Sequence, residues 1–229
     1  MIEHKLFPTL VTEHLYPDHA EFKKKFAKNI FKHMTPEGYS SELTNHVTLH
    51  HEKAFEPLFK FATETAKKHC ERLHIDTEKF DFNIIKTWMN IKKSAETPKH
   101  MHGDAHISFS YYVNMPPNFA WPIRFYNYDN RHEPYPGSIV HNNTSGIWDE
   151  LNSGSWQFVP SEGSLFVFPS NLVHDTVGNT SWNILEQGVT KQSLMDYRHC
   201  LAGDILMTYK KKTPSHLGVQ PVSNWRNFE

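Results

Sequence analysis

Pro98-Lys-His-Met-His-Gly-Asp-Ala-His-Ile-Ser-Phe-Ser-Tyr-Tyr-Val113 is the stretch that decides the fold, because it sets polar ligand residues directly before an apolar and aromatic run. The run from Ile107 to Val113 is typical of a β-strand. Side chains at positions i and i+2 of an extended chain leave the same face. We therefore expect His102 and Asp104 to point the same way and to bind one metal ion together.

A second stretch, Glu162-Gly-Ser-Leu-Phe-Val-Phe-Pro-Ser-Asn-Leu-Val-His174, carries the third candidate ligand. Its apolar part predicts a strand, a Pro-Ser-Asn turn follows, and His174 stands where a returning strand would begin. Two imidazoles and one carboxylate on three corners of a metal form the facial triad of non-haem Fe(II) oxygenases. The sequence therefore predicts a catalytic metal centre at His102, Asp104 and His174.

Two neighbouring histidines leave the ligand set open. His100 or His106 could replace a member of the triad, and His100-x-His102 would make a cupin-like site of a different kind. The same ligands could also hold zinc in a hydrolase, which keeps an open metal position. A non-catalytic metal- or ligand-binding jelly-roll module is a further alternative.

The segment Glu162-Gly-Ser-Leu-Phe-Val-Phe-Pro-Ser-Asn-Leu-Val-His-Asp-Thr-Val-Gly-Asn-Thr180 resembles the distal-histidine segment of the 2-oxoglutarate/Fe(II)-dependent dioxygenases. Within that family it is similar to the bacterial and phage 2OG-Fe(II) oxygenases that are related to prolyl 4-hydroxylases. Further blocks fit in the same order and extend the resemblance over nearly the whole chain: Lys5-Leu-Phe-Pro-Thr9, Trp88-Met-Asn90, the His-x-His-Gly-Asp segment and Pro122-Ile-Arg-Phe-Tyr126.

This resemblance implies both a fold and an activity. The fold is mainly β with N-terminal helices, a double-stranded β-helix (jelly roll, cupin-like), whereas the strands alone predict only a sandwich or barrel with N-terminal helices. The implied cofactors are Fe(II), 2-oxoglutarate as cosubstrate and O2. The implied reaction is hydroxylation of a C–H bond in a peptidyl, for example prolyl, or small-molecule substrate, with release of succinate and CO2.

Three further residues are candidates for binding the cofactors. Arg198 begins the last apolar strand, and the resemblance implies that it binds the far carboxylate of 2-oxoglutarate, since a guanidinium holds a carboxylate through paired charge-assisted hydrogen bonds. Asn90 lies in a Trp-x-Asn context that the resemblance places in the lining of the site. Strand alternation turns either Tyr111 or Tyr112 inward, and we name Tyr112 as the candidate hydrogen-bond donor.

Composition excludes several classes of partner. The chain has a formal net charge of -1 and no basic stripe, so we expect neither nucleic acid nor an anionic membrane as partner, but a peptide or small molecule. It has no apolar run long enough to span a membrane and its first residues lack the layout of a signal peptide. With only two cysteines, Cys70 and Cys200, it is expected in the cytoplasm, or in the host cytoplasm if a phage encodes it.

The 229 residues, 38% of them hydrophobic, suit one domain with one core. We expect a helical buttress over about 18–75, with helices at 18–33 and 52–73, and a jelly-roll core over about 80–210. The segment 127–156 is rich in Pro, Gly and Asn and is expected to cover the mouth of the site. Its candidate substrate contacts are Arg131, Tyr135 and Trp148.

Overall fold

A computed structural model of the chain describes residues 8–29, 48–92, 97–117, 121–127, 146, 153–176, 194–213, 216 and 218–228. These residues form two α-helices, α1 (His19–Asn29) and α2 (Glu56–Arg72). They also form nine strands: β1 (Thr12–Leu15), β2 (Phe80–Lys92), β3 (Thr97–His100), β4 (Ile107–Asn114), β5 (Ile123–Tyr126), β6 (Ser155–Phe158), β7 (Ser164–Pro169), β8 (His174–Thr176) and β9 (Arg198–Tyr209).

The strands make two antiparallel sheets. The larger sheet has the order β1-β7-β4-β9-β2 and the smaller one the order β3-β8-β5-β6. Every one of these strand pairs is antiparallel. Two such sheets with crossing connections are the jelly-roll arrangement, and the predicted fold class, mainly β with N-terminal helices, is confirmed.

Strand β4 shows how the sequence sorts the two faces of the larger sheet. All eight of its residues are buried, but they alternate in what they contact. Phe109 and Tyr111 pack in the core cluster that includes both helices, whereas Ser110 and Tyr112 line a cavity on the opposite face. The alternation of large apolar and polar or aromatic side chains therefore separates a packing face from a site-forming face.

The two helices cover the packing face of the larger sheet. Helix α1 buries Phe22 and Phe26, and α2 buries residues at helical spacing that include Leu58 and Ala62. Helix α2 begins at Glu56, later than the predicted 52, because two short 3-10 turns precede it and a proline occupies its first turn. Helix α1 is described as far as Asn29, and the rest of its predicted span, 30–33, lies outside the described residues.

Strands β2 and β9 form the longest pairing in the described structure, from Phe80↔Tyr209 to Lys92↔Arg198. The register shifts between Ile84 and Lys86, which brings Lys86 opposite Asp204. Close packing then fixes β9 at Gly203, where an added Cβ would lie 2.5 Å from Phe109 Cζ. These two features place Lys86 and Asp204 beside the cavity.

Most of the predicted 127–156 segment lies outside the described residues, including Arg131, Tyr135 and Trp148, and its last residues begin β6. In the part of the chain that the structure describes, neither helix combines the length and the apolar character needed to cross a membrane.

Candidate metal centre

Three histidines come together at one end of the β3–β8 strand pair, at the edge of the cavity. His100 ends β3, His102 follows two residues later, and His174 begins β8 opposite His100. One ring nitrogen from each lies within 4.8 Å of the others. The ring centroids are 4.4 Å apart for His100 and His174, and 5.3 Å apart for each of the other two pairs. This spacing allows three imidazoles to bind one metal ion.

In all three rings, Nδ1 is directed to a hydrogen-bond acceptor. Nδ1 of His100 lies 2.7 Å from the carbonyl oxygen of Pro98, Nδ1 of His174 lies 2.8 Å from that of Leu172, and Nδ1 of His102 lies 2.6 Å from Oδ1 of Asp204. A neutral imidazole that donates through Nδ1 carries its lone pair on Nε2. The three rings are thus held in the tautomer that binds a metal through Nε2.

Asp104, the predicted carboxylate ligand, lies outside this group of histidines. Its side chain is 58% exposed, and both of its oxygens accept hydrogen bonds from Lys86 Nζ, at 3.0 and 2.8 Å. The chain bends at Gly103 and Asp104, so that the strand alternation assumed for His102 and Asp104 does not continue through this segment. The structure therefore brings His102 and His174 together as predicted, but with His100 beside them rather than Asp104. His106 is also separate, and its Nδ1 accepts a hydrogen bond from the Met207 backbone nitrogen.

Asp204 is the residue at this centre that the sequence reasoning missed. It is fully buried, and its Oδ1 accepts hydrogen bonds from His102 Nδ1 at 2.6 Å and from Ser108 Oγ at 2.5 Å. Lys86 Nζ lies 3.1 Å from its Oδ2. Burial alone would raise the pKa of Asp204, but these hydrogen bonds hold that pKa below its ordinary value, so the carboxylate stays ionised. The signal in the sequence was a single acidic residue inside an otherwise apolar strand.

His174 is the most deeply enclosed of the three histidines. It is 6% exposed and packs against the rings of Phe168 and Phe125, with centroid distances of 4.9 and 6.1 Å. Burial lowers the pKa of His174 to about 4. The ring is therefore neutral near pH 7, which is the form that binds a metal.

The histidines open into a cavity of about 510 Å³ between the two sheets. That volume lies in the range of sites for small molecules, about 300 to 1,000 Å³. All three predicted cofactor-binding residues line it. Its described lining residues are Lys86, Trp88, Asn90, Thr97, Pro98, His100, His102, Ser110, Tyr112, Ile123, His174, Thr176, Arg198, Cys200 and Ala202.

Arg198 places a buried positive charge in this cavity. Its side chain is 2% exposed, and its Cζ lies 5.1 Å from the centre of the Tyr112 ring. Among the described residues, no carboxylate pairs with it and its Nε has no hydrogen-bond partner. Burying a guanidinium costs free energy, which a bound anion would offset. A guanidinium in this position can bind a carboxylate.

Tyr112, not Tyr111, is the tyrosine that faces the cavity. Burial raises the pKa of Tyr112, so its hydroxyl stays protonated and can donate a hydrogen bond. Tyr111 points to the opposite face of β4, where its hydroxyl lies 2.7 Å from His19 Nδ1.

These features fit a ferrous ion and 2-oxoglutarate. Imidazole nitrogens are suitable ligands for iron, as they are for zinc, copper and nickel. Three protein ligands leave coordination positions for a chelating cosubstrate, and Arg198 supplies a cation for a second carboxylate in the same cavity. The donor set thus fits the metal, and the lining fits a small dicarboxylate.

Residues 86–183 match a protein family described as "Putative 2OG-Fe(II) oxygenase". The matched segment contains His100, His102 and His174 together with most of the cavity lining. Arg198 and Asp204 follow it in the chain. No curated protein matches the sequence.

Solved structures share the fold at low sequence identity. AviO1 from Streptomyces viridochromogenes Tue57 is 12% identical with a TM-score of 0.52, over 90% of this chain and 92% of its own. A Pseudomonas putida prolyl-4-hydroxylase is 14% identical with a TM-score of 0.50, over 86% and 92%. SnoK, a non-heme alpha ketoglutarate dependent carbocyclase from nogalamycin biosynthesis, is 10% identical with a TM-score of 0.55, over 88% and 82%.

Identities this low show a common fold. The family match shows, over residues 86–183, a sequence pattern similar to that of the 2OG-Fe(II) oxygenases.

Proposed function

We propose that this protein is a 2-oxoglutarate-dependent dioxygenase in which His100, His102 and His174 bind Fe(II) and Arg198 binds the far carboxylate of 2-oxoglutarate. One observation carries the proposal. Three imidazoles, each with Nδ1 directed to a hydrogen-bond acceptor, converge on the cavity that also contains a buried arginine.

The ligand set of this proposal differs from the facial triad expected from the sequence. Three neutral imidazoles replace two imidazoles and a carboxylate, so no described protein ligand brings a negative charge to the metal directly. When bound, Fe(II) and 2-oxoglutarate supply the activation of O2, with oxidation of the cosubstrate to succinate and CO2 and oxidation of a substrate C–H bond.

The chain's own contribution is binding, orientation and the exclusion of water. Arg198 would hold the far carboxylate of the cosubstrate through paired hydrogen bonds. Tyr112 would donate a hydrogen bond from its buried hydroxyl to that carboxylate, and Asn90 on β2 lines the same cavity. Apolar side chains such as Ile123 and Trp88 limit the water around the reacting groups.

The substrate we propose is a peptidyl residue, for example prolyl, or a small molecule that is hydroxylated at a C–H bond. One structural neighbour is a prolyl-4-hydroxylase, which supports hydroxylation, and another is a carbocyclase, which shows that this fold also accommodates other oxidative outcomes. We further propose that the chain acts as a single domain in the cytoplasm. Two buried free cysteines, Cys70 and Cys200, agree with a reducing compartment.

The function is tested by adding Fe(II) and 2-oxoglutarate to the protein without oxygen and recording the visible absorption spectrum. We expect a charge-transfer band that requires both additions, followed by slow formation of succinate when O2 is admitted. His174→Ala is the control, and it should show neither signal because it removes one of three ligands.

The same experiment separates the alternative functions. Metal binding with no band and no succinate would contradict the oxygenase and favour a non-catalytic binding module. Cleavage of an ester or amide by the zinc-loaded protein, again with no band, would favour a hydrolase.

A further inference from the structure

Asp204 is a buried carboxylate that contacts the three-histidine centre without belonging to it. It lies on β9 of the larger sheet, whereas the histidines lie on β3, β8 and the segment between β3 and β4. Its exposed fraction is 0%, and its Oδ1 lies 2.6 Å from Nδ1 of His102. This contact joins β9 to the segment between β3 and β4 at the metal centre.

The contact determines how His102 is oriented. The Nδ1–H of His102 donates to Asp204, and the Trp88 ring packs against the same imidazole with a centroid distance of 5.3 Å. His100 and His174 instead donate to backbone carbonyls within two residues of themselves. The orientation of the His102 ring thus depends on a side chain that is 102 residues away in the sequence.

The contact also brings a negative charge to the centre. A carboxylate that accepts the Nδ1–H of a metal-binding histidine makes that imidazole a stronger donor and fixes its tautomer. Here the three ring ligands are neutral, and none of them brings a negative charge to the metal. Asp204, which is hydrogen-bonded to His102, supplies that charge in place of a carboxylate ligand.

Two further side chains hold Asp204 in this position. Ser108 Oγ donates to the same Oδ1 at 2.5 Å, and Lys86 Nζ lies 3.1 Å from Oδ2. Lys86 reaches Asp104 as well, at 2.8 Å, and so connects the buried carboxylate with an exposed one. Hydrogen bonds therefore hold Oδ1 of Asp204, and an ion pair with Lys86 holds Oδ2.

We propose that Asp204 is the positioning residue of the three-histidine centre, which orients His102 and supplies through it the negative charge that the ligand set lacks. This proposal rests on one part of the proposed function, the binding of a metal by His102. It assigns Asp204 no contact with substrate or cosubstrate.

The test is the equilibrium affinity of the metal-free protein for Fe(II) alone, measured without oxygen against a competing chelator. Asp204→Ala should weaken binding by about 10- to 100-fold, the range found when partners of metal-binding histidines are removed. Asp204→Asn keeps a neutral acceptor for Nδ1–H and should fall between Asp204→Ala and the unsubstituted protein. The matched control is Asp81→Asn, an exposed aspartate on β2 that is expected to bind Fe(II) unchanged.

A second measurement separates positioning from simple packing. Nitrogen-15 NMR of the imidazoles reports which ring nitrogen carries the proton, and the metal-free protein should show His102 protonated at Nδ1. In Asp204→Ala, His102 should populate both tautomers, while His100 and His174 keep theirs. Asp204→Asn, which is close in shape to the natural residue, keeps the test open if Asp204→Ala does not fold.

An unchanged Fe(II) affinity in both folded Asp204 variants would overturn the proposal, even if they unfold at a lower temperature. Lower stability with normal metal binding would mean that Asp204 only packs between the sheets. Failure of the proposed function looks different, because the unsubstituted protein would then show neither the charge-transfer band nor succinate, whatever the Fe(II) affinity of the Asp204 variants.

Discussion

Arg198 illustrates how one residue can determine which ligand a cavity accepts. Its guanidinium is buried beside Tyr112, and in the described part of the chain it has no carboxylate partner. Removing such a group from water costs free energy, which a bound anion would offset. The planar fork of an arginine also suits a carboxylate better than a lysine does. The proposed function assigns this cation to the far carboxylate of 2-oxoglutarate.

We predict that Arg198→Ala will raise the dissociation constant for 2-oxoglutarate by at least about tenfold, since a charge-assisted hydrogen bond contributes on the order of 1.5 to 3 kcal/mol. The measurement is a titration of the Fe(II) protein with 2-oxoglutarate, followed by the charge-transfer band. Arg72→Ala, at an exposed position of α2, is the control. An equal affinity in both variants would remove Arg198 from the cosubstrate site.

His100 and Asp104 show what the sequence could not decide at this scale. Each lies two residues from His102, so the alternation of an extended chain allows either to share its face. The bend at Gly103 and Asp104 decides between them, and Asp104 then pairs with Lys86. That pairing depends on a residue of β2, which is distant in sequence. Other site residues could be predicted from the strand patterns in their own sequence neighbourhood. The structure places three of them at the cavity: His102, His174 and Tyr112.

Strand β9 combines the two polar ends of the site in one element. Arg198, Cys200 and Ala202 alternate along the cavity face, and Asp204 continues the same series to His102. The opposite face must pack tightly on β4 and β2. Gly203 lies at the closest approach, where a Cβ would come within 2.5 Å of Phe109 Cζ and 2.8 Å of Thr87 Cγ2.

We predict that Gly203→Ala will destabilise the protein by about 1 to 3 kcal/mol, because an extra methyl group there forces buried neighbours to move. The free energy of unfolding in urea measures the effect. Gly154→Ala is the matched control, since an added Cβ there meets no atom within 4 Å. Equal stability of the two variants would show that β9 is not packed as described.

The strands and helices were more predictable than the contacts between them. The apolar runs predicted β4, β7 and β9 as strands, and helical spacing predicted α2. The role of Asp204 was not predictable, because its partner His102 is 102 residues away in the sequence. The 3-10 turns and register shifts were not predictable either, since tertiary packing sets them. The order of the sheets came from the family resemblance, not from the pattern of any single strand.

The whole molecule separates packing from chemistry on the two faces of its larger sheet. Helices α1 and α2 cover one face, and the smaller sheet encloses the cavity over the other. Several histidines far from the metal centre are part of the packing. His69, for example, is 2% exposed on α2, with its Nδ1 3.1 Å from Thr12 Oγ1 on β1.

We predict that the metal-free protein loses stability as the pH falls from about 7.5 to 5.5. Burial lowers the pKa of His14, His19, His50 and His69 below the ordinary value of 6.5. In that window the unfolded chain binds more protons than the folded one, so the free energy of unfolding decreases as the pH falls. The urea midpoint measures it, and His69→Gln should reduce the slope. A midpoint independent of pH would contradict the burial of these rings.

An anaerobic Fe(II) titration of His100→Ala beside Asp104→Ala tests whether His100, His102 and His174 hold the metal without Asp104. We expect His100→Ala to lose Fe(II) binding as completely as His174→Ala does, because each supplies one of three ligands. Asp104→Ala should retain Fe(II), since its carboxylate pairs with Lys86 instead. Loss of Fe(II) from Asp104→Ala, with normal binding by His100→Ala, would show that Asp104 and not His100 is the ligand.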